Sequence, residues 1–394
     1  MLMKRIRLLA FFTVIAMLLC VPVYGGTIND GSEPTGSMPF ELECKSAVLM
    51  EAKSGEVLCA FNENEALPPA SVTKIMTLLL VMEEIDGGRL SLTDTVTASA
   101  YATSMGGSQI YLKEGEQMSV EDMLKSVVIA SANDAAVALA EHISGSEEAF
   151  VKRMNERASE LGMKDTKFEN TNGLDDTTEN HVTSALDIAI MSRELIKHRK
   201  VLEYSSTWMD SIRNGEFGLT NTNRLIRFYK GATGLKTGST LRAGFCVSVT
   251  AERGDTGLIA VIMGAPSRDV RNECAKMLLD YGFSNYEGYT SPDIELPELC
   301  VKGGVSDLCS LDCGSFSAVL QKGQGTRVKY EAVLPEELIA PVTKGDKVGD
   351  MIFLLDGAEI GRCDIVAGET VEKISFSELL WRVMKKFLFC GSDE

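Results

Sequence analysis

The stretch Pro69-Ala-Ser-Val-Thr-Lys-Ile-Met-Thr77 places a serine, Ser71, three residues before a lysine, Lys74. Two consecutive prolines prevent a helix from entering from upstream, and the apolar run that follows predicts a helix over 71–85. Residues three apart lie on the same side of a helix, so the Lys74 amine is expected within hydrogen-bond distance of the Ser71 hydroxyl.

A lysine that accepts a proton from serine must be uncharged near neutral pH. Its pKa must then fall by about three units, at a cost of about 4 kcal/mol. Burial and a second cation both lower a lysine pKa, and Lys236 is the candidate for that cation. The first amides of the predicted helix add positive potential where an alkoxide and an oxyanion would form.

A second stretch, Ser131-Ala-Asn133, falls between two predicted helices, 120–129 and 134–143. The first of these helices follows Ser119-Val-Glu-Asp122, a pattern similar to a capping box. A break at this place directs a hydroxyl and an amide into a cleft. The serine is expected to relay a proton to a leaving amine, and the asparagine to hold a substrate carbonyl.

A third stretch, Lys236-Thr-Gly238, opens a predicted edge strand. Thr237 offers a hydroxyl to a carboxylate, and Gly238 leaves room for a substrate backbone close to the strand. Each stretch alone also fits a plain structural interpretation: a solvated helix face, a turn or the end of a hairpin. Their order and local structure together favour a serine acyl-transfer site with lysine as the base.

Over residues 40–394 the chain resembles the low-molecular-mass penicillin-binding proteins, which are serine-type D-alanyl-D-alanine carboxypeptidases. The similarity is carried by these matches: Pro69-Ala-Ser-Val-Thr-Lys-Ile-Met-Thr77, Ser131-Ala-Asn-Asp-Ala135, Asn170, Gly173-Leu174, Gly234-Leu-Lys-Thr-Gly238, Ala243-Gly-Phe245 and Val261-Ile-Met-Gly264. The resemblance implies an α+β fold, in which an antiparallel sheet is flanked by helices as in penicillin-recognising serine transpeptidases and β-lactamases.

The resemblance also implies a role for each matched residue. Ser71 corresponds to the nucleophile that forms the acyl-enzyme, Lys74 to its general base, and Ser131 to a further catalytic group. The implied substrate-binding residues are Asn133, Lys236, Thr237, Gly238, Ser239 and Arg271. Of these, the lysine and the threonine would meet the terminal carboxylate of the peptide or of penicillin. The backbone N–H groups of the two serines at 71 and 239 would form the oxyanion hole.

Four positions leave questions open. The family has an arginine implicated in carboxylate binding at the position of Arg271, but an exposed helix arginine is the alternative. Ala132 stands where glycine is commoner, Thr233 where aspartate is frequent, and Ser239 where histidine is frequent. None of these departures removes a reacting group. Their effect on turnover and substrate preference stays open, because pocket contacts tune both.

The chain divides into five segments by composition and pattern. A basic start, a short apolar run and small residues predict a signal peptide at 1–25, followed by a linker at 26–39. Residues 40–285 hold all three stretches and form the predicted carboxypeptidase domain. Short alternating runs predict a separate β domain at 286–375, either a spacer or interaction module or a stabilising element. The last segment, 376–394, is predicted to be an amphipathic helix.

That last helix has an apolar and a basic side. Its apolar face holds Leu380, Val383, Met384, Phe387 and Leu388, and its basic face Arg382, Lys385 and Lys386. With Trp381 added, the pattern predicts a helix that lies in the membrane interface. Docking of the helix on the β domain is the alternative.

The charge of the chain argues against nucleic acid as a partner, and the spacing of its histidines gives no indication of a metal site. The net charge of -17 and the isoelectric point near 4.8 argue against nucleic acid as a partner. The three histidines, His142, His181 and His198, have no metal-ligand spacing, so no metal is predicted, and no cofactor is predicted either.

Cysteine usage is high for an exported protein. Nine of the ten cysteines remain after removal of the signal peptide, so at least one is unpaired. Cys309 and Cys313 could form a bridge, or the thiols could remain free in a reducing habitat.

The predicted function is removal of the terminal D-alanine from peptidoglycan stem peptides ending in D-Ala-D-Ala, with β-lactam antibiotics as inhibitors. The predicted location is the outer face of the cytoplasmic membrane or the cell wall space. A β-lactamase would use the same three stretches, although its usual acidic deacylation motif is not evident here. A non-catalytic protein that binds cell-wall peptides is the other alternative.

Overall fold

The computed structural model of the chain describes residues 38, 40–176 and 178–389. The predicted signal peptide, 1–25, lies outside the described residues, and so does the predicted linker, 26–39, except for Met38. The end of the predicted anchor helix, 390–394, lies outside them as well.

An antiparallel sheet of five strands is the middle layer of the first domain. Its strands are β1 (Ser46–Glu51), β2 (Val57–Phe61), β7 (Ala232–Thr240), β8 (Gly244–Arg253) and β9 (Thr256–Ala265). Their order across the sheet is β2-β1-β9-β8-β7, which leaves β7 at an edge, as predicted. Two separate hairpins pair β3 (Thr95–Thr97) with β4 (Gln117–Ser119) and β5 (Met209–Ile212) with β6 (Phe217–Thr220).

Helices cover both faces of this sheet. They are α1 (Lys74–Asp86), α2 (Ala100–Thr103), α3 (Val120–Ile129), α4 (Asn133–Ser144), α5 (Glu147–Glu160), α6 (Ala185–Leu195), α7 (Arg199–Ser205), α8 (Leu225–Phe228) and α9 (Arg268–Asn285). The helices from α1 to α7 pack on one face, and α8 and α9 pack on the other. The predicted α+β fold, an antiparallel sheet flanked by helices, is confirmed.

Neighbouring residues of β1 point into different cores. Val48 and Met50 belong to the core under α1, whereas Ala47 and Leu49 belong to the core under α9. Because successive side chains alternate between the two faces of a strand, a strand buried on both faces is apolar at successive positions. The unbroken apolar runs 47–50 of β1 and 258–263 of β9 follow from this.

Helix α1 is enclosed on all sides. Every residue from 74 to 82 is buried, including Lys74 at its first position. A helix that is apolar all round is stable only inside a core. The start of α1, with the Ser71 and Lys74 pair, is therefore held in the interior of the domain and not on a flexible surface segment.

Helix α9 is longer than the sequence predicts. The helical run that follows Met263 and Gly264 in the sequence is predicted to end near Gly282, but the helix continues to Asn285. A Cβ atom at Gly282 would lie 2.5 Å from Cδ1 of Leu258 in β9 and 3.0 Å from Cδ2 of Leu49 in β1. The glycine permits close packing of the helix on the sheet, which outweighs its low helix propensity.

After α9 the chain forms a small β domain. Its strands are β10 (Tyr286–Thr290), β11 (Leu299–Lys302), β12 (Leu308–Cys309), β13 (Leu311–Cys313), β14 (Ser317–Gln321), β15 (Val328–Val333), β16 (Leu338–Ile339), β17 (Lys347–Leu355) and β18 (Ala358–Ala367). They form three sheets, ordered β13-β18-β17-β15, β12-β11-β16 and β10-β14. The alternating runs 315–320, 327–334, 350–355 and 359–366 predict β14, β15, β17 and β18. The other five strands have two to five residues, and such runs carry too little alternation to be predicted.

The last described element is α10 (Phe376–Phe389), with exposed apolar side chains. These are Phe376, Leu379, Leu380, Trp381, Val383 and Met384. The guanidinium of Arg382 donates to Asp307 Oδ1 at 2.9 Å and to the carbonyl oxygen of Val305, both in the β domain. Among the described residues, no helix combines the length and the apolar character that crossing a bilayer requires.

Two thiols meet inside the β domain. The Sγ atoms of Cys313 in β13 and Cys363 in β18 lie 3.0 Å apart. Cys309, which the sequence offers as a partner for Cys313, is buried, and its thiol faces the carbonyl oxygen of Ser310 at 3.3 Å. The neighbour of Cys313 is therefore Cys363, which is distant in sequence and adjacent in the sheet.

We expect Cys313 and Cys363 to be the pair that joins when the full chain is incubated with oxidised glutathione, which is reduced to two thiols as the bridge forms. The bridge closes a loop that spans 50 positions and should stabilise the β domain by about 2–4 kcal/mol. Peptide mapping by mass spectrometry identifies the linked peptides, and thermal unfolding measures the gain. Cys363→Ser should abolish both effects, whereas Cys300→Ser should change neither; a link between Cys309 and Cys313 would contradict the assignment.

Candidate active site

Ser71 lies in a short 3-10 turn, Ala70–Thr73, that leads directly into α1. The sequence predicts a continuous helix from Ser71, but the regular α-helix begins only at Lys74. Ala70 adopts a left-handed conformation with φ of +49°, which is costly for a residue with a side chain. The geometry of this turn places Lys74 Nζ 3.0 Å from Ser71 Oγ, as the three-residue spacing predicts.

The Lys74 amine is buried and has two further oxygen neighbours. Its Nζ lies 2.5 Å from Asn133 Oδ1 and 2.8 Å from the carbonyl oxygen of Asn172. Burial lowers the pKa of Lys74 well below its ordinary value, and the nearby charge of Lys236 lowers it further. Asp134 acts in the opposite direction, but the smaller size of its effect leaves the net shift downward.

A neutral amine has two N–H bonds and one lone pair. Asn133 Oδ1 and the Asn172 carbonyl oxygen can accept both N–H bonds of Lys74, because both are acceptors. The lone pair is then directed at the remaining neighbour, the Ser71 hydroxyl. This arrangement suits a general base that takes the serine proton.

Ser131 and Lys236 form a second pair in the same cleft. Ser131 lies between α3 and α4 with φ of +63°, and its Oγ accepts a hydrogen bond from Lys236 Nζ at 2.7 Å. The same amine donates to the carbonyl oxygen of Thr237 at 3.0 Å. Burial, followed by the charge of Arg271, lowers the pKa of Lys236 to about 7. Ser131 is thus in contact with a group that can exchange a proton near neutral pH.

Asn133 has a further partner, the segment 105–112. Its Nδ2 donates to the carbonyl oxygen of Gly106 at 2.7 Å, and its backbone N–H donates to that of Ser108 at 2.7 Å. The next residue, Asp134, is buried and accepts backbone N–H bonds from Ile110 and Leu112. The side chain of Asn133 therefore orients Lys74 and is itself held on both sides.

Gly238 of β7 lies against the nucleophile turn. A Cβ atom at this position would lie 2.7 Å from the backbone nitrogen of Ser71 and 2.9 Å from that of Val72. The sequence analysis explains this glycine by the approach of a substrate backbone. The structure adds a second reason, since any side chain at 238 would displace Ser71.

The cleft is a cavity of about 570 Å³, and its lining includes Ser71, Ser131, Thr237, Gly238 and Ser239. The Thr237 hydroxyl donates to Thr222 Oγ1 at 2.8 Å. Arg271, near the start of α9, is only 3% exposed and also lines the cavity. The alternative of an exposed helix arginine is therefore wrong. All nine residues singled out by the sequence lie in or next to this cavity.

Four residues that support the nucleophile turn or Lys74 were not predicted as part of the site: Thr73, His181, Asn172 and Gly173. His181 is buried; its Nδ1 accepts the backbone N–H of Glu169 at 2.9 Å, so its Nε2 carries the proton and donates to Thr73 Oγ1 at 2.7 Å. The Thr73 hydroxyl in turn donates to the carbonyl oxygen of Ala70 at 2.8 Å. Burial lowers the pKa of His181 to about 4, so the ring stays neutral and keeps this tautomer.

Gly173 completes the support of the turn. A Cβ atom there would lie 1.8 Å from the carbonyl oxygen of Ala70, and its φ is +83°. The neighbouring Asn172 supplies the carbonyl oxygen that faces Lys74. Asn170 and Gly173 are among the residues that match the family in the sequence analysis. That match is the signal by which the sequence could have identified this segment as part of the site.

The histidines give no metal site. His181 lies at the nucleophile turn, His198 contacts Asp86 through Nδ1 at 2.5 Å, and His142 is on the surface at the end of α4. In the described part of the chain, no three or more His, Cys, Asp or Glu side chains are grouped so that they could hold a metal ion.

We expect Thr73→Val to slow acylation of the protein by penicillin by about 10- to 100-fold. The variant removes the hydroxyl that joins the His181 N–H to the Ala70 carbonyl oxygen, and the turn can then move Ser71 out of position. Thr73→Ser keeps the hydroxyl and should stay within about threefold of the parent. Stopped-flow or gel-based labelling gives the second-order rate constant. Equal rates for the Val and Ser variants would contradict a positioning role for this hydroxyl.

Two family models match the chain. One is described as D-alanyl-D-alanine carboxypeptidase and matches residues 32–267; the other is described as penicillin-binding protein 5, C-terminal domain, and matches residues 314–373. The first match covers more than half of the chain. The second covers most of the β domain.

Characterised carboxypeptidases are also similar to this chain over most of its length. The D-alanyl-D-alanine carboxypeptidase DacF of Bacillus subtilis is 41% identical over 385 residues, which is 96% of this chain and 98% of that protein. The D-alanyl-D-alanine carboxypeptidase DacC of Escherichia coli is 35% identical over 368 residues, 90% of this chain and 91% of that protein.

Solved structures show the same similarity. Penicillin-binding protein 5 from Haemophilus influenzae superposes with a TM-score of 0.74 at 32% identity, covering 85% of this chain and 99% of that one. Penicillin-binding protein D2 from Listeria monocytogenes, in its ampicillin-bound form, has a TM-score of 0.58 at 32% identity and covers 62% of this chain. That protein is covered completely, at 100% of its chain.

Proposed function

Because the chain belongs to the D-alanyl-D-alanine carboxypeptidase family, we propose that Ser71, activated by Lys74, attacks the amide between the last two D-alanines of a peptidoglycan stem peptide. The protein is a serine-type D-alanyl-D-alanine carboxypeptidase and a penicillin-binding protein that acts in cell-wall biogenesis. The observation that carries the residue assignment is the buried Lys74 amine, 3.0 Å from Ser71 Oγ.

In the first step, the lone pair of neutral Lys74 takes the Ser71 proton while Ser71 Oγ bonds to the carbonyl carbon. The amine becomes an ammonium, and its charge is stabilised by the two oxygens that already accept its N–H bonds, those of Asn133 and Asn172. The backbone N–H groups of Ser71 and Ser239 are proposed to stabilise the oxyanion.

The tetrahedral intermediate then collapses and the C–N bond breaks. The leaving D-alanine amine needs a proton. We propose that it receives the proton that Lys74 took from Ser71, relayed through the Ser131 hydroxyl, which is in contact with Lys236. Lys74 is thereby returned to its neutral form. Water next attacks the acyl-enzyme ester, with Lys74 accepting a proton from the water. Release of the shortened peptide restores the Ser71 hydroxyl and the neutral amine.

The terminal carboxylate of the substrate is assigned to the part of the cleft near Lys236, Thr237 and Arg271. Lys236, Thr237 and Arg271 provide a cation, a hydroxyl and a second cation there. The free carboxylate of penicillin is expected to occupy the same place, because it has the same charge and a similar distance to the reactive carbonyl.

We expect Ser71→Ala to abolish both D-alanine release and labelling by fluorescent penicillin, because the variant has no hydroxyl at the position where Lys74 can accept its proton. Ser104→Ala, at an exposed serine that does not line the cavity, should keep both at the parent level. Mass spectrometry of the digested stem peptide reports the bond cleaved, and gel fluorescence reports the adduct. Persistent labelling of Ser71→Ala would overturn the assignment, and an adduct lifetime of milliseconds would favour a β-lactamase.

The C-terminal helix is proposed to lie in the membrane interface and to hold the exported enzyme at the outer face of the cytoplasmic membrane. The proposal is supported by the exposed apolar stripe of α10, to which Phe376, Leu379, Leu380 and Val383 contribute. Arg382 binds the β domain from the other side of the helix, so the stripe is left uncovered among the described residues. An amphipathic helix of this kind buries its apolar face at the headgroup boundary.

We expect Leu380→Glu combined with Met384→Glu to reduce binding of the full chain to phosphatidylglycerol and phosphatidylcholine vesicles more than tenfold, because two apolar side chains become charged within the stripe. Ile339→Glu changes an exposed apolar residue of the β domain and should leave binding unchanged. Vesicle flotation measures the bound fraction. Equal flotation of the double variant and the parent would contradict anchoring through α10.

A further inference from the structure

One wall of the active-site cavity has three arginines. Arg224 precedes α8, Arg268 is the first residue of α9, and Arg271 lies one turn later on α9; all three line the cavity. They are close enough for their charges to interact: after burial, the charges of Arg268 and Arg224 are among the causes that lower the pKa of Arg271 to about 10. A positive end of the cavity therefore adjoins Lys236.

Two of these arginines have no partner of their own. In the described part of the chain, Arg224 and Arg268 form neither an ion pair nor a side-chain hydrogen bond, and both are exposed to the cavity. By contrast, Arg157 and Arg199 are each paired with a glutamate. Asp269 is close enough to act on Arg271, yet it makes no ion pair. Within the described residues Arg227 also lacks an ion pair, but its guanidinium stacks over the rings of Trp208 and Phe228.

Like charges that converge without an anion destabilise one another, and a ligand that brings the anion relieves this cost. Arg271 already has protein partners, because its guanidinium donates to Asn272 Oδ1 at 2.9 Å and to the carbonyl oxygen of Cys246 at 3.4 Å. Together with Lys236 and Thr237, it is sufficient for the single α-carboxylate of the substrate. Arg224 and Arg268 are additional to that need.

We propose that Arg224 and Arg268 form a second anion subsite, which binds a carboxylate in the side chain of the C-terminal residue of the peptide. The inference rests on the proposed function, which places the α-carboxylate beside Arg271. The side chain of the last residue branches from the carbon that carries this α-carboxylate, so a short acidic side chain reaches the neighbouring guanidinium groups. Arginine suits the task because its planar group binds a carboxylate through two parallel hydrogen bonds.

The substrate class that follows is a stem peptide whose terminal residue is an acidic D-amino acid. The reaction is unchanged: the same C–N bond breaks, and the acidic D-amino acid leaves in place of D-alanine. The peptide ending in D-Ala-D-Ala remains a substrate, since its terminal methyl group makes no demand on the two arginines.

The test uses the full chain and three peptides that differ only in the last residue: D-alanine, D-glutamate or its neutral isostere D-glutamine. For the parent protein we expect kcat/KM for the D-glutamate peptide to exceed that for the D-glutamine peptide about tenfold, mainly through KM. Arg224→Gln and Arg268→Gln should each lower this ratio about threefold or more, and Arg224→Lys should restore it in part.

Arg227→Gln is the matched control. Arg227 lies on α8 next to Arg224, but its guanidinium stacks over the rings of Trp208 and Phe228 and does not line the cavity. This variant removes the same charge from the same region, and the D-glutamate to D-glutamine ratio should stay at the parent value.

Two outcomes would overturn the subsite. The first is a ratio near one in the parent protein. The second is a ratio that Arg224→Gln and Arg268→Gln leave unchanged while all three peptides slow equally, since the arginines would then act on the α-carboxylate common to all. Failure of the proposed function is distinguishable from both, because the parent protein would then not cleave the D-Ala-D-Ala peptide at all.

Discussion

The burial of one amine is the constraint on which the site depends. Lys74 is the first residue of a helix enclosed on all sides, so its amine cannot be solvated and the charged form is disfavoured. Two oxygens, from Asn133 and Asn172, replace the water that the amine has lost. Their positions also determine where the lone pair points. The same burial that stabilises α1 thus produces the base and directs it at Ser71.

A second constraint is the geometry of the turn that carries Ser71. Its strained residue, Ala70, is held by a contact that only glycine permits at 173 and by the hydrogen bonds of Thr73. His181 extends this support into the core, where burial keeps the ring neutral. On the opposite side, Gly238 allows the edge strand to lie directly against the turn. Strain at a functional residue persists because the surrounding structure over-determines it.

Charge is distributed unevenly over the molecule. The chain has a net charge of -17, yet basic side chains converge on the cleft: the neutral Lys74 and, around it, Lys236, Arg224, Arg268 and Arg271. The charge of Lys236 lowers the pKa of Lys74, and the charge of Arg271 lowers the pKa of Lys236, so the groups that bind a carboxylate also help to keep the base uncharged. Binding of an anionic substrate and activation of the serine are for this reason electrostatically linked. Among the described residues that line the cavity, none comes from the β domain.

The α+β fold was predicted from the family resemblance. Local spacing was enough to predict the contact between Ser71 and Lys74, because an interval of three residues on a helix leaves little freedom. The helix break before Asn133 and the edge-strand position of Lys236 could also be predicted from the sequence, because helix caps, glycines and alternating runs determine backbone conformation over a few residues. Other features depend on residues distant in sequence: the Asn172 oxygen facing Lys74, the hydrogen bond from His181 to Thr73, the Cys313 and Cys363 contact, and the arginines of the cavity wall. The continuation of α9 past Gly282 likewise follows from packing against Leu258, which outweighs the local preference of glycine. By itself, the sequence determined which chemical groups the protein has and how neighbouring groups are spaced; only the tertiary structure decided which distant groups meet and lose their water, and these contacts set the proton affinity of the lysine.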